Sequence, residues 1–377
     1  MNGYLGNHSP RKLLAAVGAR MGLGGGVFSG IDVDSAPALA GAPPIVDRLT
    51  VRVVTDSYHH QFEAGGKLGD VTIERFALPP SNDPPRRTLQ NEWGLALHLE
   101  SRRGDESRQM LIDFGYTHET INNNLELMGI DPARLDAMLL THGHYDHFGG
   151  MVGFLAAHRR KLPPALPFYL GGEECFCARE TGPANAPRNF GVLDRHAIAE
   201  ANLRVLFAEK PALLADHGFT TGWIPQVSFE KPAQPSRMKV GVATNGLGCE
   251  ASRLPEAKRN AAMMVDDFQH EHATCFHVKD KGLVVMTSCG HRGIVNTVQA
   301  AISVSGISKV HAILGGFHLM PMPEAYARET AKALAAFNPD WLIPMHCSGE
   351  TFITACKEAM PGKVLRSSTG TGFVFGG

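Results

Sequence analysis

Five short apolar runs in this chain each lead into a histidine or an aspartate. Asp113 closes "QMLID". His142, His144, Asp146 and His147 follow "AMLL". His291 follows "GLVVMTSCG", His318 follows "AILGGF", and His346 ends "WLIPM". In a layered α/β sheet the C-terminal ends of the strands gather along one edge, and ligand sites form there. The pattern therefore restricts the chain to folds that bring these ends together. It places at least six His/Asp groups around one cleft.

The remaining sequence fits an α/β fold. From "RLTVRVVTDSY" onward, short β-rich runs recur, at 49–55, 95–100, 109–114, 137–140, 168–172, 203–208, 273–278, 282–288, 310–316 and 341–346. Helical spacing appears between some of them, at 118–129, 293–306 and 323–337. Segments 178–200 and 246–270 are polar and loop-rich, long enough for lids or binding loops. Residues 1–48, rich in Gly, Ala and Pro, are expected to form an extension, and 49–377 the functional domain. No internal repeat is evident.

Composition narrows the function classes. The 377 residues carry 36 basic and 37 acidic side chains, a formal net charge of -1. No basic run favours nucleic acid or an anionic membrane, so a small-molecule substrate is expected. No apolar run reaches the length of a membrane span. The seven cysteines, an odd number in a long chain, read as mostly free thiols in a reducing, cytoplasmic compartment. The alternative is periplasmic export through "SPRKLLAAVGARMGLGGGVFSG", a degenerate twin-arginine signal in which Arg20 interrupts the apolar stretch. A homodimer is compatible with this length.

The segment Leu139–Gly150, "LLTHGHYDHFGG", concentrates the ligating groups. His142 and His144 alternate on one side of an extended turn, and Asp146 and His147 come round on the next. Adjacent residues can then face two metals about 3.5–4 Å apart. Imidazoles and a carboxylate without a dedicated thiolate set suit Zn(II), one or two per chain, with Fe(II) and Mn(II) as alternatives. Gly143, Gly149 and Gly150 let the backbone bend where the side chains converge. His318 serves either metal or substrate. Asp146 can orient an attacking water and help protonate a leaving group. Tyr145 could donate to an oxyanion unless its ring points away.

Other features read more weakly. "DDFQHEHATCFHV" (266–278) reads first as a solvated edge strand, with His270 and His272 on one face and Glu271 on the other. Substrate contact by Glu271 or His272 is the functional alternative. Cys289 and Cys347, each beside a late histidine, read as packing before nucleophile or ligand.

"THGHYDHFGG" resembles the signature of the metallo-β-lactamase superfamily, whose fold is an αββα sandwich with a one- or two-metal site. "GLVVMTSCGHRGIVNT", "ILGGFHL", "IPMHCSGE" and "TTGWIPQVSFEKP" are similar to the branch named for 7,8-dihydropterin-6-methyl-4-(β-D-ribofuranosyl)aminobenzene-5′-phosphate synthase. The resemblance spans roughly residues 49–377. It implies that His142, His144 and His291 hold one metal, that Asp146, His147 and His346 hold a second, and that Asp113 supports the metal loop from behind. Most of the superfamily has a metal-bridging aspartate shortly before the last histidine. Here His318 of "GGFHL" stands in that region. Gly290 replaces the branch's usual serine before His291. Trp223 replaces an acidic residue, Gln226 lies near the position of a usual basic one, and "EWGL" brings in Trp93. Trp93 and Trp223 suggest an apolar or aromatic substrate, or packing.

The expected activity is zinc-dependent hydrolysis of a small ester, lactone, amide, phosphoester or activated aryl substrate. One alternative is a pterin-precursor enzyme of the methanopterin type, with Arg188, Lys231 and Arg237 as phosphate-binding candidates. The other is an iron-dependent redox member of the superfamily.

Overall fold

The alternation of side chains along the central strands sets the layers. In the strand Glu106–Ile112, Met110 and Ile112 face one way and Leu111 the other. In Ala137–Leu140, Leu139 joins Met110 and Ile112, while Met138 and Leu140 join Leu111. Period-two alternation with both faces apolar requires cover on both sides of the sheet. Gly282–Thr287, Val310–Gly316 and Trp341–Met345 behave alike. Val284, Leu314 and Ile343 face the sheet opposite, and Val285, Ile313 and Leu342 face outward under helices.

The structure is a computed structural model that describes residues 31–60, 62–232 and 236–377. Two large sheets pack face to face, one of ten strands and one of seven. Between them lies an apolar layer that includes Val51, Leu97, Leu139, Phe276, Leu314 and Phe373. Full burial of each such side chain is worth about 1.5–3 kcal/mol. Helices His118–Leu127, Met151–His158 and Arg195–Glu200 cover the first sheet. Ile294–Ser305, Glu324–Ala336 and Glu350–Ala359 cover the second. The result is the expected αββα sandwich, with the predicted strands and helices within a few residues of their expected limits.

Caps fix the helix ends. The Thr117 hydroxyl accepts from the Thr120 N–H, and the Asp194 carboxylate accepts from His196 and Ala197. Glu230 accepts the N–H groups of Val295 and Asn296 at the start of Ile294–Ser305.

Parallel pairing aligns the strand ends. Glu106–Ile112 pairs in parallel with Ala137–Leu140, and Gly282–Thr287, Val310–Gly316 and Trp341–Met345 form a parallel set in the other sheet. All five ligand-bearing ends thereby reach one edge of the sandwich.

Several expectations are corrected. Segments 178–200 and 246–270, expected to be loop-rich, contain strands. Ala178–Thr181, Arg188–Asn189 and Met263–Val265 join Ser236–Lys239 in a separate four-stranded sheet. Within the stretch assigned to the extension, Val33–Ser35 pairs with Arg204–Phe207, and Ile45–Val46 pairs with Thr274–Val278. The export-signal reading falls on residues outside those described. Cys177 and Cys249 form a disulfide, so two of the seven thiols are not free. Their separation of 72 residues hides the pairing from local spacing. Finally, 266–278 is no solvated edge. Asp266, His270, Glu271 and His272 are buried, and Thr274–Val278 lies inside the second sheet.

Candidate metal centre

The turn after Ala137–Leu140 is held from behind by Asp113. This residue sits in the left-handed region with φ 59°. Its carboxylate accepts the Thr141 N–H and the Thr141 hydroxyl, both at 2.8 Å, and Nδ1–H of His147 at 2.8 Å. That bond leaves the lone pair on Nε2 of His147, which faces Cys289 Sγ at 3.2 Å. The Thr141 hydroxyl, having donated to Asp113, accepts from His142 Nδ1–H at 3.1 Å, and His142 Nε2 has no hydrogen-bond partner. Ser236 engages Nε2 of His144 at 2.8 Å, which leaves Nδ1 as the free donor atom. Gly143 is required by crowding: a Cβ there would lie 2.7 Å from the Arg179 guanidinium carbon.

Arg179 is itself buried and fully engaged. It bonds Asp266, the carbonyls of Cys177 and Glu174, and His270. This buried pairing explains why a segment so rich in charge is not solvated.

The ligating atoms fall into compact sets. Those of His142, His144 and His291 lie within 4.8 Å of one another, as do those of Asp146, His147 and His346. Neither ring nitrogen of His291 makes a hydrogen bond, His346 Nε2 has only Asp146 Oδ2 at 3.4 Å beside it, and His346 Nδ1 and Asp146 Oδ1 are without partners. So many buried polar atoms without partners are costly unless something else satisfies them. Imidazole and carboxylate donors in two three-atom sets fit divalent metal ions.

Electrostatics agree. Burial, then the charges of neighbouring histidines, push His142 and His291 well below the ordinary imidazole range. Burial lowers His144 to about 3. These rings stay neutral at physiological pH, with lone pairs available. Burial alone would raise Asp146, but His147, His346 and His144 outweigh it and hold the carboxylate ionised. Burial would likewise lower His346, but Cys347, Asp146 and Asp56 outweigh it and raise the ring to about 9.

A small recess opens onto the sets, lined in part by Trp93, His144, Asp146, Thr181, Phe190 and His346. Trp93 stands 5.0 Å from the His346 ring, centroid to centroid, and Phe190 stands 5.2 Å from His144. His318 is close by but groups with Cys289 and Cys347 rather than with either histidine set.

Other predicted site residues lie elsewhere. Tyr145 packs its ring against Tyr116 and Phe148, away from the recess. The Trp223 indole donates to the Gly171 carbonyl at 2.6 Å and does not line the recess. Glu271 accepts the N–H groups of His291 and Arg292, so it shapes the His291 loop, and it does not line the recess. His272 is spent on Thr220 and the Leu140 carbonyl.

Sequence reading also missed contributors. Asp56, at the end of an apolar strand like the ligands, accepts the His346 N–H at 3.0 Å. Phe268 stacks on His291 with ring centroids 3.9 Å apart and carries φ 54°. His318 and His346 also have positive φ, at 44° and 51°. Non-glycine residues in this region are uncommon, and such strain clusters at functional sites.

A family model described as the metallo-beta-lactamase superfamily matches residues 102–161, the segment that carries this turn. The structure is similar to that of Tm1679, described as a metal-dependent hydrolase of the beta-lactamase superfamily. The TM-score is 0.61 at 20% identity, over 86% of this chain and 98% of that one. The chain has the metallo-β-lactamase fold.

Two proteins of Methanocaldococcus jannaschii are similar in sequence. One is 7,8-dihydropterin-6-methyl-4-(beta-D-ribofuranosyl)-aminobenzene-5′-phosphate synthase, 26% identical over 75% of this chain and 90% of that protein. The other, uncharacterized protein MJ0448, is 23% identical over 66% of this chain and 82% of that protein. The similarity to these two proteins thus spans far more of the chain than residues 102–161. No helix among the described residues is long and apolar enough to cross a membrane.

Proposed function

We propose that this chain is a metal-dependent hydrolase with a two-metal centre. His142, His144 and His291 would hold one ion, and Asp146, His147 and His346 the other. The observation that carries the reading is the pair of compact donor sets, in which His142 Nε2, both ring nitrogens of His291, His346 Nδ1 and Asp146 Oδ1 are buried without hydrogen-bond partners. Zn(II) is the ion best suited to these donors.

A divalent ion held there would lower the pKa of a bound water to about 7 and polarise the bond under attack. The protein supplies the rest. Asp113 and Thr141 lock the His142 and His147 rings in the tautomers that present Nε2. Asp146, a member of the second donor set, also lines the recess, where its ionised carboxylate would accept a hydrogen bond that orients the attacking water. Trp93 and Phe190 form aromatic walls suited to an apolar or aromatic part of the substrate. Candidate substrates are small esters, lactones, amides, phosphoesters and activated aryl compounds.

The similarity to the methanopterin-precursor synthase favours a second reading, in which the same centre serves a pterin-precursor reaction. That reaction needs phosphate-binding groups beside the metals. Arg188, Lys231 and Arg237 do not line the recess. Arg237 is turned to Glu180 and the Gly182 carbonyl. The hydrolase is therefore placed first.

Metal content by plasma mass spectrometry, on protein purified without added metal or chelator, is the first test. Two zinc ions per chain and turnover in an ester, lactone and phosphoester screen are expected. Iron would favour the redox alternative. A chain that binds no metal on titration would sink both this function and its mechanism.

A further inference from the structure

Five cysteines are free, and all five are buried. Three behave as small apolar residues. Cys175 lies in the core beneath the first sheet, and Cys275 and Cys356 lie in the core beneath the second. Cys289 and Cys347 do not. Both line the recess at the metal centre. Their sulfurs are 3.3 Å apart without being bonded, and Cys289 Sγ is 3.2 Å from His147 Nε2.

His318 completes this cluster. Its backbone N–H donates to Cys347 Sγ at 3.2 Å, and its Nδ1 is buried with no hydrogen-bond partner. The residue is held in the left-handed region at φ 44°. A non-glycine residue there is strained and persists where its surroundings enforce it. One donor atom from each of Cys289, His318 and Cys347 lies within 4.8 Å of the others, and Cys289 lies equally close to His142 and His147, so it borders the histidine sets.

We propose that Cys289, Cys347 and His318 form a thiolate-bearing metal subsite beside the two histidine sets, selective for thiophilic divalent ions such as Zn(II), Co(II) and Cd(II). Two sulfurs and one imidazole make a soft donor set with a fourth position open to the recess. Binding forms two metal–sulfur bonds and one metal–nitrogen bond, and any proton that the sulfurs carry leaves to solvent. Tetrahedral zinc with bonds of ~2.3 Å to sulfur would hold the sulfurs about 3.8 Å apart. The pair therefore needs to open by roughly half an ångström, within the reach of a side-chain torsion. This inference does not depend on which bond the protein cleaves.

The test is zinc X-ray absorption on the reduced, zinc-loaded full chain. A sulfur shell at ~2.3 Å beside a nitrogen/oxygen shell at ~2.0–2.1 Å is expected. Cobalt-loaded protein should show a thiolate-to-cobalt charge-transfer band in the near ultraviolet. That band should disappear in Cys289→Ser/Cys347→Ser, while the visible bands of cobalt bound to nitrogen and oxygen remain. A nitrogen/oxygen shell alone in the wild-type chain would overturn the subsite and leave the two-metal reading standing. A charge-transfer band that survives both serine substitutions would also overturn it, since other thiols would then be the source. If the variants fail to fold, the wild-type absorption spectrum decides by itself.

Discussion

Asp113 accepts a hydrogen bond from Nδ1–H of His147 at 2.8 Å, with both side chains completely buried. The same carboxylate holds the Thr141 N–H and hydroxyl, so one residue fixes both the path of the turn and the tautomer of a ligand. Asp113→Asn tests this directly. Asparagine tolerates the positive φ at this position, so the backbone is retained. Its amide, however, must turn an N–H toward either Thr141 or His147. A drop in zinc affinity of about 10–100-fold is expected, the usual effect of losing a partner that orients a ligand. Competition titration against a chromophoric chelator measures it. Unchanged affinity would mean that Asp113 serves the turn alone.

The His346 ring, raised to about 9, gives the centre a pH dependence of definite sign. Below that value the metal-free protein carries a proton on the ring, and a metal ion must displace it. His142 and His291 are held well below the usual range and contribute no such proton near neutrality. Apparent metal affinity at the set of Asp146, His147 and His346 should therefore rise about tenfold per pH unit from 7 and flatten near 9. Falling pH expels the ion. Titrations at three pH values read the slope. A flat profile would show that His346 is not displaced from its proton and does not bind the ion.

How much of this was legible beforehand depended on distance along the chain. Strand ends carry their His and Asp residues in local order, so reading forward from apolar runs picks out His142, His144, Asp146, His147, His291 and His346, which the fold brings together. Alternation within Glu106–Ile112 and Ala137–Leu140 gave the two-faced sheet by the same local rule. Glu271 and His272 were misjudged because strand alternation was applied to a loop. Their burial is licensed by partners far away in sequence: Glu271 by the His291 loop, His272 by Thr220 and Leu140. Arg179 and Asp266, 87 positions apart, settle the burial of that region, and no local pattern pairs them. The two tryptophans illustrate the same limit. Trp93 reached the recess and Trp223 turned to the Gly171 carbonyl, a choice made by tertiary packing.

Trp93 is 46% exposed yet stands against His346 at the mouth of the recess. Little of the fold rests on a side chain so exposed, so Trp93→Ala should change stability by less than about 0.5 kcal/mol. Its effect should fall on substrates with an apolar or aromatic part, where an aromatic contact is worth about 0.5–1.5 kcal/mol. KM for such substrates should rise roughly 2- to 12-fold, with kcat and metal content little altered. Steady-state kinetics on a matched pair of substrates, one with and one without the aromatic group, separates the two. An equal effect on both would assign Trp93 to holding His346 rather than to recognition.

The Cys177–Cys249 disulfide ties the chain immediately before the strand Ala178–Thr181 to the hairpin strand Gly248–Cys249. It therefore brackets the four-stranded sheet that supplies Ser236 to His144 and lies next to Phe190. Closing a loop of 72 residues restricts the unfolded chain by up to about 4 kcal/mol on the chain-entropy account. Cys249→Ser should lower the thermal midpoint by several degrees, and reductant should lower the wild type toward the variant without moving the variant itself. The consequence for the centre is more specific. Loosening this sheet frees Ser236 from Nε2 of His144, so metal affinity at the set of His142, His144 and His291 should weaken in the variant while the set of Asp146, His147 and His346 keeps its own. Calorimetric melting with metal titration on the same samples reads both. A midpoint insensitive to reductant and to the substitution would show that the two cysteines are not joined in solution.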